Sequence, residues 1–341
     1  MRARLIVMAA AVVTAGSLTV AQAPRHFNPM VELLAAKKPV FGLYAPSNRR
    51  FGGGGPGAPG GAPGAAARPA TPPADAPPPK TPAQLAKEAV DFSNSDFIFD
   101  GSMEGDFDRA LPPFTELMNG MTTAGILIKS PKPHFSKAVV VKTHEIAEDK
   151  VKAAANIGKQ LNLGVTGIMF VGVESADEVK AGLAAMRFKS KGGTRTDDVG
   201  GAPAAWGMSE KDYKDRADVW PLNANGELVN WTIVESKAGL EKVREIAAVK
   251  GIGVLWPGAG TLRGVFSTQQ PDGTRKLDEA AWEASIQKVL AACKEFNVPC
   301  GYPATPTDIE MRMQQGFSVF VMNWGDPGFK AIEIGKKATG R

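Results

Sequence analysis

Short apolar runs alternate with amphipathic segments along most of the chain. Strand-like runs rich in β-branched and aromatic residues occur at 40–44, 96–100, 138–142, 167–173, 228–234, 253–257, 299–303 and 318–323. Segments with helical periodicity follow these runs, and about eight strand-then-helix units are what a (β/α)₈ barrel requires. A doubly wound open sheet is the alternative, but residues 251–253 lack the full G-x-G-x-x-G spacing of its phosphate loop. The pattern therefore predicts an α/β fold, a (β/α)₈ TIM barrel.

Local signals set some of the predicted boundaries. Ser175 and Glu178 have the spacing of a capping box, which predicts a helix over 175–187. Pro112 and Pro113 predict an interruption in the helix at 107–118, because proline lacks the backbone N–H that a helix interior needs.

The strand at 228–234 ends at Glu235, where an amphipathic helical segment begins. The carboxyl ends of the strands form the active face of an α/β barrel, so a carboxylate at this junction is placed for chemistry. The alternative is that Glu235 only stabilises the first turn of the following helix through the helix dipole.

Two segments differ from the alternating pattern. Residues 1–23 combine Arg2 and Arg4, an apolar run and an Ala-Gln-Ala site, which predicts a cleaved signal peptide and export to the periplasm or medium. An uncleaved membrane anchor is the alternative. Residues 51–82 are dominated by Gly, Pro and Ala and cannot build a core, so we expect a disordered insertion after the first strand. Residues 24–341 then form a single domain.

Composition narrows the class of function. The chain has 43% hydrophobic and 22% charged residues and a formal net charge of +5, which is ordinary for a globular protein. No Lys/Arg run is interleaved with aromatic residues, so nucleic acid is not an expected partner. Cys293 and Cys300 flank a predicted helix-to-strand turn, and either a disulfide or two buried thiols fits that spacing.

Several segments resemble the HpcH/HpaI aldolase and citrate-lyase β-subunit family, whose members are metal-dependent lyases on a pyruvate-kinase-like barrel. The segments that carry the resemblance are FNPMVELLAAKKPVFGLY, SDFIFDGSMEGDFD, AVVVK, NLGVTGIMFVGVESADEV, WTIVES and GVLWPGAGTL. The resemblance covers nearly the whole chain except the signal and the insertion. It implies a pyruvate-kinase-like TIM barrel in which a divalent cation, held by Glu and Asp, polarises a keto acid.

Transferred residue by residue, this resemblance makes Glu235 a metal ligand. The family's second metal-binding carboxylate falls on Ala259, Gly260 or Thr261, none of which is acidic. Asp100, Glu104 and Glu174 are therefore the candidates to complete a Mg²⁺ or Mn²⁺ site, since both cations favour oxygen ligands.

The same resemblance suggests three catalytic residues. Lys142 stands where the family has Arg, keeping the charge but not the bidentate fork. Arg195 is retained from a Gly-rich loop motif. His144, which follows the third strand, can replace the family's missing His as an acid or base, although a plain loop position is the alternative.

These observations predict an exported, metal-dependent carbon–carbon lyase that acts on a small 2-keto acid. The alternative function is a barrel that has lost catalysis and binds a small acid or a protein partner. Neither nucleic acid nor, after signal cleavage, a membrane is an expected partner, and assembly into a homo-oligomer is left open.

Overall fold

A computed structural model describes residues 26–48, 78–130 and 132–341 of the chain. The predicted signal peptide and most of the predicted insertion lie outside these ranges. At the two edges of the insertion, the side-chain amide of Asn48 donates to the carbonyl of Lys80 at 2.7 Å and accepts from its N–H at 2.7 Å. Within the described ranges, none of the helices has the length and apolar character needed to cross a membrane.

Eight parallel strands of the described chain form the main sheet. They are β1 Val40–Tyr44, β2 Phe97–Asp100, β3 Ala138–Lys142, β4 Gly167–Phe170, β5 Leu228–Val234, β6 Ile252–Pro257, β7 Gly301–Pro303 and β8 Val319–Met322. The pairing order is β7-β8-β1-β2-β3-β4-β5-β6. A parallel bridge between Leu255 and Cys300 also joins β6 to β7, and the Leu255 N–H donates to the Pro299 carbonyl at 2.9 Å. The predicted α/β class is confirmed, and the curled parallel sheet is consistent with a (β/α)₈ barrel.

The remaining strands are short. Val219–Trp220 pairs with the start of β5, and two antiparallel pairs join Leu127–Ile128 to His134–Phe135 and Ser267–Gln269 to Arg275–Leu277. The pyruvate-kinase-like subtype of the barrel stays a prediction.

The helices of the described ranges are α1 Pro29–Ala35, α2 Pro82–Asp91, α3 Phe107–Thr123, α4 Lys150–Asn162, α5 Ala176–Met186, α6 Ala202–Ala205, α7 Glu210–Arg216, α8 Lys237–Glu241, α9 Val243–Ala247, α10 Ala259–Val265, α11 Glu279–Phe296, α12 Ile309–Gln315 and α13 Asp326–Ala338. Two 3₁₀ turns lie at Ser102–Glu104 and Lys189–Lys191. The Ser175 side chain caps α5, as the capping spacing predicts.

The predicted interruption of α3 is wrong. The helix runs through both Pro112 and Pro113. Each proline removes one N–H from the helical ladder. The carbonyls that lose these partners belong to the exposed Asp108 and Arg109 at the start of the helix, where water can replace the missing donor.

Inward-facing residues of the strands alternate with outward-facing ones, which divides the core into two clusters. The inner cluster contains Val140, Met169, Trp231 and Val254 together with the face of α1 that carries Met30 and other apolar residues. The larger outer cluster lies between the strands and the surrounding helices. Helix α1 therefore fills the amino-terminal end of the strand assembly, and the site described below lies at the other end.

Candidate active site

The alternation of side chains along the strands brings three polar residues together at the carboxyl ends. In β3, Ala138 and Val140 belong to the inner cluster, and Lys142 continues that series by two. Tyr44 ends β1, and Glu235 directly follows β5. These three side chains line one cavity of about 120 Å³. The cavity is also lined by Phe99, Met169, Ile233, Trp256, Gly258, Ala259, Gly260, Thr261, Pro303 and Val321.

The Glu235 carboxylate is held from two sides. The backbone N–H of Gly172 donates to Oε1 at 3.0 Å, and the hydroxyl of Thr261 donates to Oε2 at 2.7 Å. Gly172 has a φ of 58°, and a Cβ there would meet the Glu145 carboxylate, so glycine is required at this position. Gly258 leaves no room for a Cβ beside Glu235. Glu235 is therefore fixed in orientation by neutral donors, with no cation among its hydrogen-bond partners in the described chain.

Lys142 is the positive group of the cavity. Its Nζ lies 2.7 Å from Oε2 of Glu104, and its side chain is only 16% exposed. Burial by itself lowers the pKa of Lys142, but the charge of Glu104, its hydrogen bond to Lys142 and the charge of Glu235 raise that pKa above its ordinary value. Lys142 is consequently protonated at neutral pH.

Aromatic rings form the floor of the cavity. Trp256 stacks on Trp231 with ring centroids 5.4 Å apart, and Phe99 stacks on the same indole at 5.8 Å. Tyr44 meets Phe99 edge-on at 5.0 Å. Burial raises the pKa of the Tyr44 hydroxyl, so this group stays protonated and can donate a hydrogen bond. Lys142 and Glu235 therefore lie next to an apolar surface of aromatic rings, which keeps water away from the interior side of the cavity.

Two of the predicted residues lie beside the cavity without lining it. The Asp100 carboxylate accepts hydrogen bonds from the N–H and hydroxyl of Ser102 at 2.8 and 2.5 Å. His144 contacts the carbonyl of Glu104 through Nδ1 at 3.0 Å and the carboxylate of Glu148 through Nε2 at 2.5 Å. The bond to the Glu104 carbonyl raises the pKa of His144, and Glu148 adds to that effect. Both imidazole nitrogens are thus engaged, Nδ1 by the Glu104 carbonyl and Nε2 by the Glu148 carboxylate.

The structure places Arg195 apart from the other candidates. Its guanidinium donates to Asn162 at 2.9 Å and to the Tyr213 hydroxyl at 3.1 Å, and it lies over the Phe188 ring at 4.4 Å. Asn162 ends α4, just before β4 begins. Helices of a barrel run opposite to the strands, so this contact lies at the amino-terminal end. Arg195 is not brought together with Glu235 or Lys142.

The described residues do not form the paired carboxylates that the family's metal site implies. No group of three or more His, Cys, Asp or Glu side chains within the described ranges is arranged to hold a metal ion. Both Glu235 oxygens already accept hydrogen bonds, and the facing side chain is the hydroxyl of Thr261. Glu104 is paired with Lys142. The donor set at this cavity therefore fits a divalent cation poorly.

Sequence reasoning missed Tyr44, Thr261 and the Gly172 amide. Tyr44 carried a usable signal, because it is the last residue of a clear strand and belongs to the carboxyl end. Thr261 was one of three equivalent positions for the missing carboxylate, and only the fold identifies it as the one that contacts Glu235. The Gly172 contact is made by a backbone N–H, and no side chain in the sequence signals it.

A curled parallel α/β sheet with a cavity holding Lys142 and Glu235 at its carboxyl ends is the arrangement expected of a (β/α)₈-barrel protein. The chain belongs to the HpcH/HpaI aldolase/citrate lyase family, whose sequence model matches residues 131–319. Membership in this family of aldolases and citrate lyases supports a lyase-type enzyme. The family is typically dependent on a divalent metal.

One curated relative is the 2-dehydro-3,6-dideoxy-6-sulfogluconate aldolase of Pseudomonas putida, which is 26% identical over 184 residues. The match covers 50% of this chain and 64% of the relative, so it spans less than two thirds of that protein.

Solved structures agree on the fold. A family protein from Burkholderia cenocepacia J2315 superposes with a TM-score of 0.57 at 18% identity, covering 92% of this chain and 98% of that one. Macrophomate synthase gives a TM-score of 0.54 at 15% identity, covering 92% and 88% of the two chains. At these identities the likeness establishes the fold alone.

Proposed function

We propose that this chain is a carbon–carbon lyase that cleaves a small 2-keto acid in the cavity of Tyr44, Lys142 and Glu235. The observation that carries the proposal is that Lys142, a buried cation, and Glu235, an oriented carboxylate, line the same cavity. This cavity lies at the carboxyl ends of the strands, where barrel enzymes have their active sites. Family membership supports the same reaction class.

The substrate class follows from the charge and size of the cavity. Lys142 attracts an anionic or carbonyl oxygen, and a volume of about 120 Å³ is well below the range of drug-sized pockets. The Pseudomonas putida relative is named as an aldolase of a 2-dehydro acid. Together these points favour a short keto-acid group inside the cavity, with the rest of the substrate outside it.

In the proposed reaction, the keto oxygen lies against the Lys142 ammonium. Glu235 accepts the proton of the hydroxyl on C4 as the C3–C4 bond breaks, and an aldehyde leaves. The bonding electron pair moves into an enolate whose oxygen charge is stabilised by Lys142 and by the Tyr44 hydroxyl. Protonation of C3 by Glu235 then gives the pyruvate-type product and restores the carboxylate.

The other candidate residues have lesser roles in this proposal. Glu104 holds the Lys142 side chain in position, and Asp100 and His144 support the loop around Glu104. Mg²⁺ or Mn²⁺ is the cofactor that the family implies, and Glu235 would be its protein ligand. Because the described residues offer Glu235 no second carboxylate, no step of the proposed reaction depends on a metal. Arg195 has no part in it.

The assay is retro-aldol cleavage of a panel of 4-hydroxy-2-keto acids, followed as pyruvate release with and without added Mn²⁺. Loss of the proton acceptor in Glu235→Ala should lower kcat/KM by about 100-fold or more. Glu241→Ala, which removes an exposed glutamate from α8, is the matched control and should leave the rate unchanged. Equal rates for wild type and Glu235→Ala over the whole panel would refute the proposal.

The alternative is a barrel that binds a small acid without cleaving it. The specific observation that favours it is Thr261 facing Glu235 where the resemblance leads one to expect a carboxylate. Binding of a keto acid without pyruvate release from any member of the panel would establish this alternative.

We also propose that the protein is exported. The predicted signal supports this, and so does the disulfide between Cys293 and Cys300, since disulfides persist in oxidising compartments. Fractionation of cells that express the full chain tests the location, and retention in the reducing cytoplasm would contradict it.

A further inference from the structure

We propose that the Lys142 ammonium takes the place of the divalent metal, so that this cavity binds its keto-acid anion without a metal ion. The inference rests on the proposed function for the identity of the ligand. It departs from the metal dependence that family membership implies, and it follows from the residues that line this cavity.

The geometry of Lys142 suits it to binding an anion. The side chain is buried, projects into the cavity and has one carboxylate partner, Glu104, at 2.7 Å. An ammonium group has three N–H donors, and the contact with Glu104 uses one of them. Donors therefore remain for an oxygen in the cavity, and Glu104 restrains the side chain so that it is oriented before the ligand arrives.

Lys142 carries a positive charge. The ordinary pKa of lysine is far above neutral pH, and the Lys142 ammonium is held against the Glu104 carboxylate at 2.7 Å. A protonated amine cannot attack a carbonyl carbon, so Lys142 is suited to electrostatic binding and not to covalent attachment of the substrate.

The position where a metal would be held is occupied by hydrogen-bond donors. Glu235 is the single carboxylate among the residues that line the cavity in the described chain. The Thr261 hydroxyl donates to one of its oxygens and the Gly172 amide donates to the other. A cation that took both oxygens would have to displace the Thr261 hydroxyl, and it would gain no second carboxylate in return. Glu235 is thus held as a hydrogen-bonded carboxylate, while the positive charge of the cavity belongs to Lys142 at the end of β3.

The probe for this inference is oxalate, a planar dianion that resembles the enolate of pyruvate in shape and charge. Calorimetry should show oxalate binding to the full chain in excess EDTA, with a Kd within threefold of that in Mn²⁺. Lys142→Met should weaken binding by about 100-fold, because a desolvated charge pair is lost. Lys142→Arg keeps the charge and should stay within about tenfold of wild type.

Lys294→Met is the matched control, because it removes an exposed lysine from the last turn of α11, which leads into β7 and lies at the amino-terminal end of the strands. It should bind oxalate as wild type does. Circular dichroism verifies that each variant is folded, and Lys142→Arg keeps the test decisive if Lys142→Met does not fold. Binding that requires Mn²⁺, or binding that persists in a folded Lys142→Met, would overturn the inference.

A second measurement separates electrostatic from covalent use of Lys142. Borohydride is added to the protein with pyruvate, and the intact mass is recorded. An unchanged mass is the expected result, whereas a reduced adduct on Lys142 would show a Schiff base and would overturn the inference.

The failure of the proposed function gives a different result. Metal-free oxalate binding that depends on Lys142, combined with no pyruvate release from any substrate, would refute the lyase proposal and support the inference. Cleavage that occurs only with Mn²⁺ would support the lyase proposal and refute the inference.

Discussion

Charged residues are buried at both ends of the curled sheet, but their contacts differ between the two ends. At the amino-terminal end, Asp96 accepts from the Phe41 N–H at 2.9 Å and from the Arg341 guanidinium at 2.7 Å. Glu227 precedes β5 and accepts from two backbone N–H groups. At the carboxyl end, Lys142 and Glu235 line an open cavity.

The difference separates structural from functional use of buried charge. The amino-terminal carboxylates tie distant segments together, since Glu227 binds residues about 200 positions away in the chain. Their oxygens are taken up by protein donors. At the carboxyl end the ammonium of Lys142 retains N–H groups for a ligand. Charge at the first end should therefore matter for stability, and charge at the second end should matter for binding.

The largest effect that tests this comparison is expected for Glu227→Ala. The substitution leaves the N–H groups of Phe27 and Asn28 buried without an acceptor, which should lower the free energy of unfolding by about 3–5 kcal/mol. Urea unfolding measures this change. Glu235→Ala at the other end is the paired variant and should cost about 1 kcal/mol. Equal losses in the two variants would remove the distinction between the ends.

A pH-dependent effect should come from Lys137, which precedes β3. Burial lowers the pKa of Lys137 to about 8, with Lys336 adding to the shift and Asp96 and Asp91 opposing it. Between this value and 10.5 the folded chain has released the Lys137 proton while the unfolded chain still holds it. Stability contributed by this site therefore rises with pH across that window, by at most about 3 kcal/mol.

The measurement is the unfolding free energy of wild type and Lys137→Met from pH 7.5 to 10.5. The variant cannot titrate at this position, so the difference between the two proteins isolates Lys137 from all other groups. The unfolding free energy of wild type should rise relative to that of the variant as the pH rises. Parallel curves would show that the Lys137 pKa is not lowered by folding.

The smallest expected effect is a gain in Mn²⁺ affinity at the carboxyl end. Thr261→Asp places a carboxylate beside Glu235, where the Thr261 hydroxyl now contacts it. Two carboxylates at one position favour a divalent cation, so Mn²⁺ affinity should increase by about tenfold or more. Calorimetry measures the change, with Thr261→Asn as the uncharged control. Strong Mn²⁺ binding by wild type, unchanged in Thr261→Asp, would contradict our description of the site.

Most of the fold follows from local pattern. The observed bounds of β1 and β3 are those that the apolar runs predict, because a buried strand must be apolar along its length. The segment after Glu235 was less well predicted. It divides into α8 and α9 at Lys242, although its periodicity indicates one helix.

The candidate site was only partly predictable for a related reason. Glu235 and Lys142 could be identified because each lies at the end of one strand, and strand ends are visible in sequence. Arg195 matched a motif, but its position depends on how the loop after α5 packs against Asn162 and Tyr213. Contacts between distant segments decide such positions, and one sequence carries little information about them.

The hydrogen bonds between Asn48 and Lys80 also have a consequence for protein engineering. They define a graft point, because a guest peptide inserted between these residues would leave and re-enter the barrel at the same place. Such an insertion would not change the distance between β1 and α2, because Asn48 and Lys80 are already in contact. The entropic cost of a longer guest grows only with the logarithm of its length. The graft point follows the carboxyl end of β1, so a guest reporter domain would be tethered at the same end of the barrel as the ligand cavity.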